Sequence, residues 1–374
     1  MLDLARGYAS IRDQVLAAVA RVCDSQKYIL GEEVEKFERE FAALCATQQG
    51  VACASGTDAL WLALAAAGVK PGDSVITTPF SFFATASSII RAGARPVFVD
   101  IDPETLNLDP AKVEEKFRHA SPRPSAIMPV HLYGQCADMA AINRIAAEFR
   151  AVVIEDAAQA AGACWNGNPA GSLGAAAAFS FYPTKNLSAF GDAGILTTGD
   201  PGLAARARSL RNHGSVRRYY HDEIGANSRL DSIQAAVLRV KMNYLARWNQ
   251  KRRERARSYD QLLASAGLTK TGAKAPVTLL KTLPQAEHIF HQYVIRVARR
   301  DELRDFLKNR GIGTEIYYPV PLHLQQCLAY LGYAPGELPE AERAATDVLA
   351  LPMFPELEHE EQRYVVETLA EFYS

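Results

Sequence analysis

Short apolar runs alternate with longer helical stretches through the first two hundred residues of the chain. The apolar runs have the length of β-strands, and the stretches between them are long enough for helices. Such alternation predicts a mainly parallel sheet sandwiched between helices, with ligands collected at the carboxyl ends of the strands. The predicted strands are centred on residues 51–53, 74–78, 96–100, 126–131, 152–155, 176–182 and 194–198.

The pattern changes after about residue 230. A long helix is predicted from Asp231 to roughly Leu263, and we expect its basic run at residues 251–257 to form a solvated face. A smaller α/β unit is expected after it, with a strand, a helix and an extended segment at residues 292–297, 300–309 and 313–323. We therefore expect two domains, residues 1–245 and residues 246–374.

Composition limits the possible functions. The chain has 374 residues, of which 48% are hydrophobic, enough for a large core. With 41 basic and 42 acidic residues, nothing in the charge favours a nucleic acid or an anionic membrane as partner. No apolar run approaches the ~20 residues that span a bilayer, no signal pattern is present, and six scattered cysteines lack a CxxC pair. We expect a cytoplasmic protein without a metal site.

Two polar residues, each at or just after the end of an apolar run, suggest the kind of reaction that the protein catalyses. Lys185 follows the strand that includes Phe179 and enters a polar loop bounded by Gly191, and Asp156 ends another apolar run. Taken singly, each is more often a solvated loop lysine or a turn-capping carboxylate. Together they suggest a pyridoxal phosphate site, because a lysine can hold the aldehyde as a Schiff base while a carboxylate keeps the pyridine nitrogen protonated. Once displaced, the lysine can carry the substrate proton.

Other residues at the predicted strand ends fit the same cofactor. Ser55, Gly56 and Thr57 form a turn of small residues before a helix predicted to begin near Asp58, and a helix N-terminus behind such a turn binds phosphate well. Thr57 could equally be only a helix cap. Ser180 could add a hydroxyl to the same anion, and Phe82 could stack on a flat ring, although adjacent phenylalanines are more often core residues. The agreement among separate segments favours the cofactor interpretation.

Seven segments distributed over nearly the whole chain carry a resemblance to a known family. They are residues 28–34, 56–60, 72–76, 96–102, 131–135, 155–159 and 227–231. In these segments the chain resembles the DegT/DnrJ/EryC1/StrS sugar aminotransferases, which have the aspartate aminotransferase-like fold type I of pyridoxal phosphate enzymes. The resemblance implies a three-layer α/β/α large domain with a mainly parallel seven-stranded sheet and a smaller C-terminal α/β domain.

The resemblance also implies roles for individual residues. Lys185 would bind the cofactor covalently, Asp156 would contact the pyridine nitrogen, and Gln159 would lie against the ring. The phosphate would be held by Gly56, Thr57 and Ser180, with Asn227 contributed by the neighbouring subunit of an obligate homodimer with shared active sites. The implied substrate contacts are Arg229, Tyr317, Tyr318 and His323.

The implied reaction is ping-pong transfer of an amino group. L-glutamate would convert the cofactor to pyridoxamine phosphate, and a keto sugar carried on a nucleotide would then take the amino group. The loop around His131 and the segment 212–221 look most like relatives that act on dTDP- or UDP-linked 3-keto sugars. Ala193 and Tyr317 depart from the family pattern, which bears on the sugar rather than on the reaction type.

Three other functions are possible on this fold, and they differ in whether they need Lys185. A cyclitol (inosose) aminotransferase would keep the same lysine and differ only in the acceptor. A sugar dehydratase that uses pyridoxamine phosphate replaces the anchoring lysine with histidine, so Lys185 argues against it. A non-catalytic regulatory protein on this fold would not need Lys185, Asp156 and Gln159 together, and all three are present.

Overall fold

The computed structural model describes residues 1–269 and 275–374. The strands are β1 Gln49–Cys53, β2 Ser74–Thr77, β3 Arg95–Phe98, β4 Ala126–Met128, β5 Val152–Asp156, β6 Cys164–Trp165, β7 Asn168–Pro169, β8 Ala176–Ser180, β9 Gly194–Thr198, β10 Ser215–Arg217, β11 Tyr220–His221, β12 Val277–Leu279, β13 Ala286–Glu287, β14 Tyr293–Val297 and β15 Val348–Leu351. The helices are α1 Leu4–Ala9, α2 Arg12–Ser25, α3 Glu32–Leu44, α4 Gly56–Ala66, α5 Ala84–Arg91, α6 Pro110–His119, α7 Met139–Phe149, α8 Pro201–Leu210, α9 Ser232–Ser265, α10 Arg300–Asn309, α11 Pro339–Asp347 and α12 His359–Tyr373.

A seven-stranded sheet forms the centre of the molecule, in the order β1-β9-β8-β5-β4-β2-β3. Strand β9 runs antiparallel to both of its neighbours, and the remaining pairs are parallel. The prediction of a mainly parallel seven-stranded sheet is confirmed. The strands are buried on both faces, which explains why they appear in the sequence as continuous apolar runs rather than as alternating patterns.

Two apolar cores cover the two faces of this sheet. Neighbouring residues of one strand point to opposite faces, so Ile76 joins one core and Val75 the other. The first core packs against α3, α7 and α9, and the second against α4, α5 and α8. The result is the expected three-layer arrangement. The helices cover the two faces of the sheet and leave the loops at the carboxyl ends of the strands uncovered.

The C-terminal unit is built on a three-stranded antiparallel sheet in the order β12-β14-β15. It has a separate apolar core that includes Ile295, Leu349 and Leu369. Helix α9 contributes to both parts of the chain, because Leu245 packs in the first core and Tyr259 in that of the C-terminal unit. The predicted domain boundary at residue 245 therefore falls inside one continuous helix.

The expectation of a solvated basic face on α9 is wrong for one residue. Arg252 is only 3% exposed, and its Nη1 donates to the carbonyl oxygens of Phe290, His291 and Met353 at 3.1–3.2 Å. The reason is that this turn of the helix lies under the segment that leads into β14. A charge that the sequence places in a basic run thus joins α9 to the C-terminal unit.

Two kinds of feature are absent from the described ranges, a membrane-spanning helix and a metal-binding cluster. None of the helices in residues 1–269 and 275–374 has the length and apolar character needed to span a membrane. In the same residues, no group of three or more His, Cys, Asp or Glu side chains is arranged to hold a metal ion.

Candidate active site

A cavity of about 520 Å³ opens at the carboxyl edge of the central sheet. It is bounded by loops that follow the strands and by the start of the C-terminal unit. Most of the predicted site residues line it: Gly56, Thr57, Phe82, Asp156, Gln159, Ser180, Lys185, Tyr317 and Tyr318. Segments from distant parts of the sequence therefore meet in one place, as the order of the strands predicts.

One end of the cavity has the character of an anion site. Helix α4 begins there at Gly56. The residue before it, Ser55, has an extended conformation, and its hydroxyl oxygen accepts a hydrogen bond from the N–H of Asp58 at 3.1 Å. The first N–H groups of a helix have no partner within the helix, so those of Gly56 and Thr57 are available to a ligand. A Cβ atom on Gly56 would lie 2.6 Å from Cβ of Ser180, so only glycine lets this hydroxyl approach the helix start.

Asp156 is held in place by the end of β5 and by helix α5. The hydroxyl of Thr85 donates to Oδ2 of Asp156 at 2.7 Å, and the N–H of Ala158 donates to Oδ1 at 3.2 Å. Burial raises the pKa of Asp156, whereas these hydrogen bonds and the charge of Lys185 act in the opposite direction. Within the described ranges no Lys, Arg or His nitrogen lies within 4 Å of this carboxylate. It is thus a buried carboxylate that can pair with a ligand cation.

Lys185 lines the same cavity from the loop between β8 and β9. Burial lowers the pKa of its amine to about 8, and the negative charge of Asp156 opposes that shift. An amine with this pKa is partly neutral near neutral pH, so it could act as a nucleophile or carry a proton. The position of Lys185 in the cavity and the direction of its pKa shift are consistent with the role that the sequence predicts for it.

Aromatic and amide side chains also line the cavity. Nε2 of Gln159 donates to the hydroxyl of Tyr318 at 3.1 Å, while its Oε1 accepts from the N–H of Tyr133 at 2.5 Å. The ring of Phe82 lies 6.3 Å from that of Tyr318, at 42°. Because Phe82 is 61% exposed, its ring can contact a flat ligand. This exposure favours the stacking prediction over the core alternative.

The sequence interpretation missed several residues of the cavity. Thr85 and Ser81 contact one another at 2.8 Å next to Asp156, and both are buried. His291 and Gln292 reach the cavity from the segment before β14, which no local motif connects to Lys185. The only available signal was the polar character of Ser81 and Thr85 among the aromatic residues that follow β2.

Three predicted residues lie outside the cavity. Asn227 is exposed, and Nη1 of Arg229 donates to Oδ1 of Asn212 at 3.3 Å. His323 is 1% exposed, with Nε2 3.2 Å from Oε1 of Glu342. The structure does not bring His323 to the cavity, because its ring is enclosed beside α11. The roles expected for Asn227 and Arg229 involve a second subunit and stay predictions.

Comparison with known proteins identifies the class of this chain. The profile of the DegT/DnrJ/EryC1/StrS aminotransferase family matches residues 9–370. The chain belongs to this family, and it is a pyridoxal phosphate-dependent aminotransferase.

Individual relatives cover nearly the full length. The chain is 52% identical over 373 residues to the "Pleiotropic regulatory protein" of Geobacillus stearothermophilus, covering 100% of this chain and 98% of the relative. It is 46% identical to the dTDP-3-amino-3,4,6-trideoxy-alpha-D-glucose transaminase of Streptomyces venezuelae, covering 99% and 95%. The solved structure of S. venezuelae DesV in complex with a ketimine intermediate superposes with a TM-score of 0.94 at 44% identity, covering 99% of this chain and 97% of the other.

The residues of the cavity fit the cofactor of the family. The close approach of Gly56 to Ser180 leaves a helix start and a hydroxyl together, as a phosphate requires. The amine of Lys185 has no hydrogen-bond partner among the residues that the structure describes, and the carboxylate of Asp156 borders the same space. The anion site, the amine and the carboxylate are thus all present in one cavity.

Proposed function

We propose that this protein transfers an amino group from L-glutamate to a keto sugar carried on a nucleotide, by a ping-pong mechanism, and so makes an amino sugar. A dTDP- or UDP-linked 3-keto sugar is the favoured acceptor. The observation that carries the proposal is the convergence of Lys185, Asp156 and the start of α4 on one cavity, in a chain 46% identical to a dTDP-3-amino sugar transaminase.

Each residue of the cavity has a separate task in this proposal. The bound cofactor supplies a cationic ring that accepts the electron pair left when the substrate loses a proton. Asp156 stabilises that cation by direct ion pairing, with its carboxylate oriented by Thr85. Lys185 holds the cofactor covalently and, once released, carries the proton to and from the substrate carbon. Gly56, Thr57 and Ser180 bind the phosphate and fix the position of the ring.

The C-terminal unit supplies the polar groups for the acceptor. Tyr317 and Gln292 line the cavity from the C-terminal unit. Within the described part of the chain, Oε1 of Gln292 is buried and has no hydrogen-bond partner. Because an unsatisfied buried acceptor is unfavourable, a ligand hydroxyl that donates to it would be bound strongly. A sugar is rich in such hydroxyl groups.

A homodimer with shared active sites is part of the proposal. Asn227 lies on the surface, outside the cavity of its own chain. The preceding segment exposes large apolar side chains, among them Ile224, which is 96% exposed. Contiguous exposed apolar groups favour a contact with another protein surface. In this arrangement Asn227 reaches the phosphate, and Arg229 the nucleotide, in the site of the neighbouring subunit. All six cysteines are free, which favours a reducing compartment such as the cytoplasm.

A regulatory role is the alternative that a specific observation favours, because the relative at 52% identity is named a regulatory protein. A purely regulatory protein would have no need for an amine with a lowered pKa beside a buried carboxylate. Lys185 and Asp156 have these properties in one cavity. Catalysis is therefore the function that the geometry supports best.

The test is a screen of acceptors against the protein in its pyridoxamine phosphate form. Each keto sugar nucleotide is added in turn, and the visible absorbance of the lysine-bound cofactor is followed. We expect dTDP- or UDP-linked 3-keto sugars to restore the absorbance and to yield the amino sugar by mass spectrometry. Restoration by an inosose, with none by any sugar nucleotide, would instead support the cyclitol aminotransferase. No restoration by any ketone would support the regulatory role.

A further inference from the structure

One face of helix α9 is hydrogen-bonded to the segment that follows Lys185. The positions on the helix lie about two turns apart, so their side chains project from the same face. Their partners are every second residue of the segment, and the segment runs antiparallel to the helix. The three pairs, which we refer to as the α9 ladder, are Asn249 with Asn186, Lys241 with Ser188, and Gln234 with Phe190.

The middle pair of the α9 ladder places a buried amine against the loop. Nζ of Lys241 donates to the carbonyl oxygen of Ser188 at 2.8 Å and to its Oγ at 2.9 Å. Lys241 is 8% exposed, and no carboxylate oxygen lies within 4 Å of its Nζ in the part of the chain that the structure describes. The ring of Phe190 lies 4.7 Å from the same nitrogen. Lys241 therefore makes its polar contacts with the loop of Lys185.

A buried lysine without a carboxylate is unfavourable for folding. Transfer of a charge from water to the interior costs several kcal/mol unless partners compensate, and burial lowers the pKa of Lys241 to about 8. A methionine or leucine would fill this position at less cost. The residue is better explained by its effect on the position of Ser188, three residues after Lys185, than by a contribution to stability.

The pair nearest the cavity connects the ladder with the site. Nδ2 of Asn186 donates to Oδ1 of Asn249 at 2.8 Å, and Nδ2 of Asn249 donates to the carbonyl oxygen of Ala161 at 2.9 Å. Oδ1 of Asn186 accepts from Nδ1 of His291 at 3.1 Å. Since His291 lines the cavity, the residue next to Lys185 is joined both to α9 and to the cavity wall.

The third pair fixes the far end of the segment. The N–H of Phe190 donates to Oε1 of Gln234 at 2.7 Å. Helix α9 itself is anchored firmly, because Leu238 packs in the core of the central sheet and Leu263 in that of the C-terminal unit. Well-packed cores of this kind have low compressibility, so a helix held in both of them is a stiff support. The α9 ladder thus attaches the loop of Lys185 to a rigid element at three points.

We propose that the α9 ladder fixes the place of the Lys185 amine, and that Lys241 is its central positioning residue. The proposal rests on the role proposed above for Lys185. Lys241 does not touch the reacting atoms, because its hydrogen bonds end at Ser188. Its effect is on orientation, where a misplacement of about 1 Å costs on the order of 100-fold in rate. We therefore expect its loss to lower kcat more than it changes KM.

The test compares Lys241→Met with Lys251→Met, a substitution on the same helix at a lysine whose side chain makes no hydrogen bond within residues 1–269 and 275–374. The main measurement is made on cofactor-free protein, as the pH at which Lys185 is half-modified by a small amine reagent, read by peptide mass spectrometry. The wild type and Lys251→Met should show a midpoint near pH 8, as burial of the amine requires. Lys241→Met should shift the midpoint upward, towards that of an ordinary lysine, because a loosened loop lets the amine reach water.

A second variant, Gln234→Met, distinguishes an effect on the position of Lys185 from the loss of the positive charge of Lys241. It removes one contact of the α9 ladder without removing a cation, so an upward shift in this variant cannot come from a lost repulsion between two lysines. If Lys241→Met does not fold, Gln234→Met still tests whether the α9 ladder positions Lys185. The kinetic measurement on the holoenzyme should show kcat lowered between about 10- and 100-fold for Lys241→Met, with KM changed less.

Failure of the proposed positioning role and failure of the proposed function give different results. A folded Lys241→Met protein with the wild-type midpoint and wild-type kcat would overturn the positioning role, as would an unchanged midpoint in Gln234→Met. Failure of the proposed function has a different signature, namely wild-type protein that carries no cofactor on Lys185. The modification of cofactor-free protein still reports on the ladder in that case.

Discussion

The hydroxyl of Thr85 donates a hydrogen bond of 2.7 Å to Oδ2 of Asp156. Because a hydroxyl has one hydrogen, the oxygen of Thr85 must accept from Ser81, whose Oγ lies 2.8 Å away. Helix α5 and the turn before it therefore orient the carboxylate that ends β5. This relay favours the ionised form of Asp156, against the effect of burial on its pKa.

Thr85→Val should weaken the contribution of Asp156 to catalysis. Loss of the hydrogen bond raises the pKa of the carboxyl group further, so that the protonated and inactive form persists to higher pH. A hydrogen bond to a charged group contributes about 1.5–3 kcal/mol, so we expect kcat to fall between about 10- and 150-fold, most strongly on the acidic side. A pH profile of kcat is the measurement, and Thr85→Ser is the control that keeps the donor. A valine variant with the wild-type profile would refute this role of Thr85.

Gly56→Ala should weaken the binding of the cofactor phosphate. The new Cβ would lie 2.6 Å from Cβ of Ser180, so the helix start and the hydroxyl must move apart. Overpacking of this kind costs about 1–3 kcal/mol, which corresponds to about a 5- to 150-fold weaker affinity for pyridoxal phosphate. Titration of cofactor-free protein measures it.

Gly199→Ala is the matched control for this variant, because nothing lies within 4 Å of the added atom and its φ angle suits any residue. It should bind the cofactor as the wild type does. If Gly56→Ala bound equally well, the phosphate would not lie against this helix start.

Glu155→Gln should reduce stability without acting on the chemistry. The carboxylate accepts from the N–H groups of Gly171, Leu173 and Gly174 at 2.8–2.9 Å and contacts Nε2 of His131 at 2.9 Å. Since Nδ1 of His131 accepts from a backbone N–H, its Nε2 carries the hydrogen. Both oxygens of Glu155 thus face donors.

An amide in place of this carboxylate would set its NH₂ group against another donor. We expect a loss of about 1–3 kcal/mol in the free energy of unfolding, because buried donors would lose their acceptor, measured by chemical denaturation. Any protein that remains folded should keep its affinity for the cofactor. A stable variant with impaired chemistry would assign Glu155 to the reaction instead.

The capture of the cofactor by Lys185 should depend on pH in a defined direction. Only the neutral amine attacks an aldehyde, and burial lowers the pKa of Lys185 to about 8. The rate of capture by cofactor-free protein should therefore rise with pH up to about 8 and level off above it. A lysine with the ordinary pKa of about 10.4 would show a rate still rising at pH 10. Stopped-flow absorbance distinguishes the two profiles.

The sequence predicted the central sheet, and the structure brings most of the residues proposed for the site into one cavity, for a physical reason. Strands buried on both faces appear as continuous apolar runs, and polar residues that end them, such as Asp156, meet at one edge. His291 and Gln292 could not be predicted, because the packing of the C-terminal unit brings them to the cavity. The α9 ladder was equally hidden. A helix of 34 residues with polar side chains on several faces does not show which face meets a loop.

The central claim is that Lys185 holds the cofactor. The most direct measurement is borohydride reduction of the wild-type holoenzyme, followed by digestion and mass spectrometry, with Lys185→Ala as the control. We predict a single cofactor adduct, on the peptide that contains Lys185, and none in the folded alanine variant. An adduct on a different lysine, or active wild-type enzyme that yields no adduct, would contradict the claim.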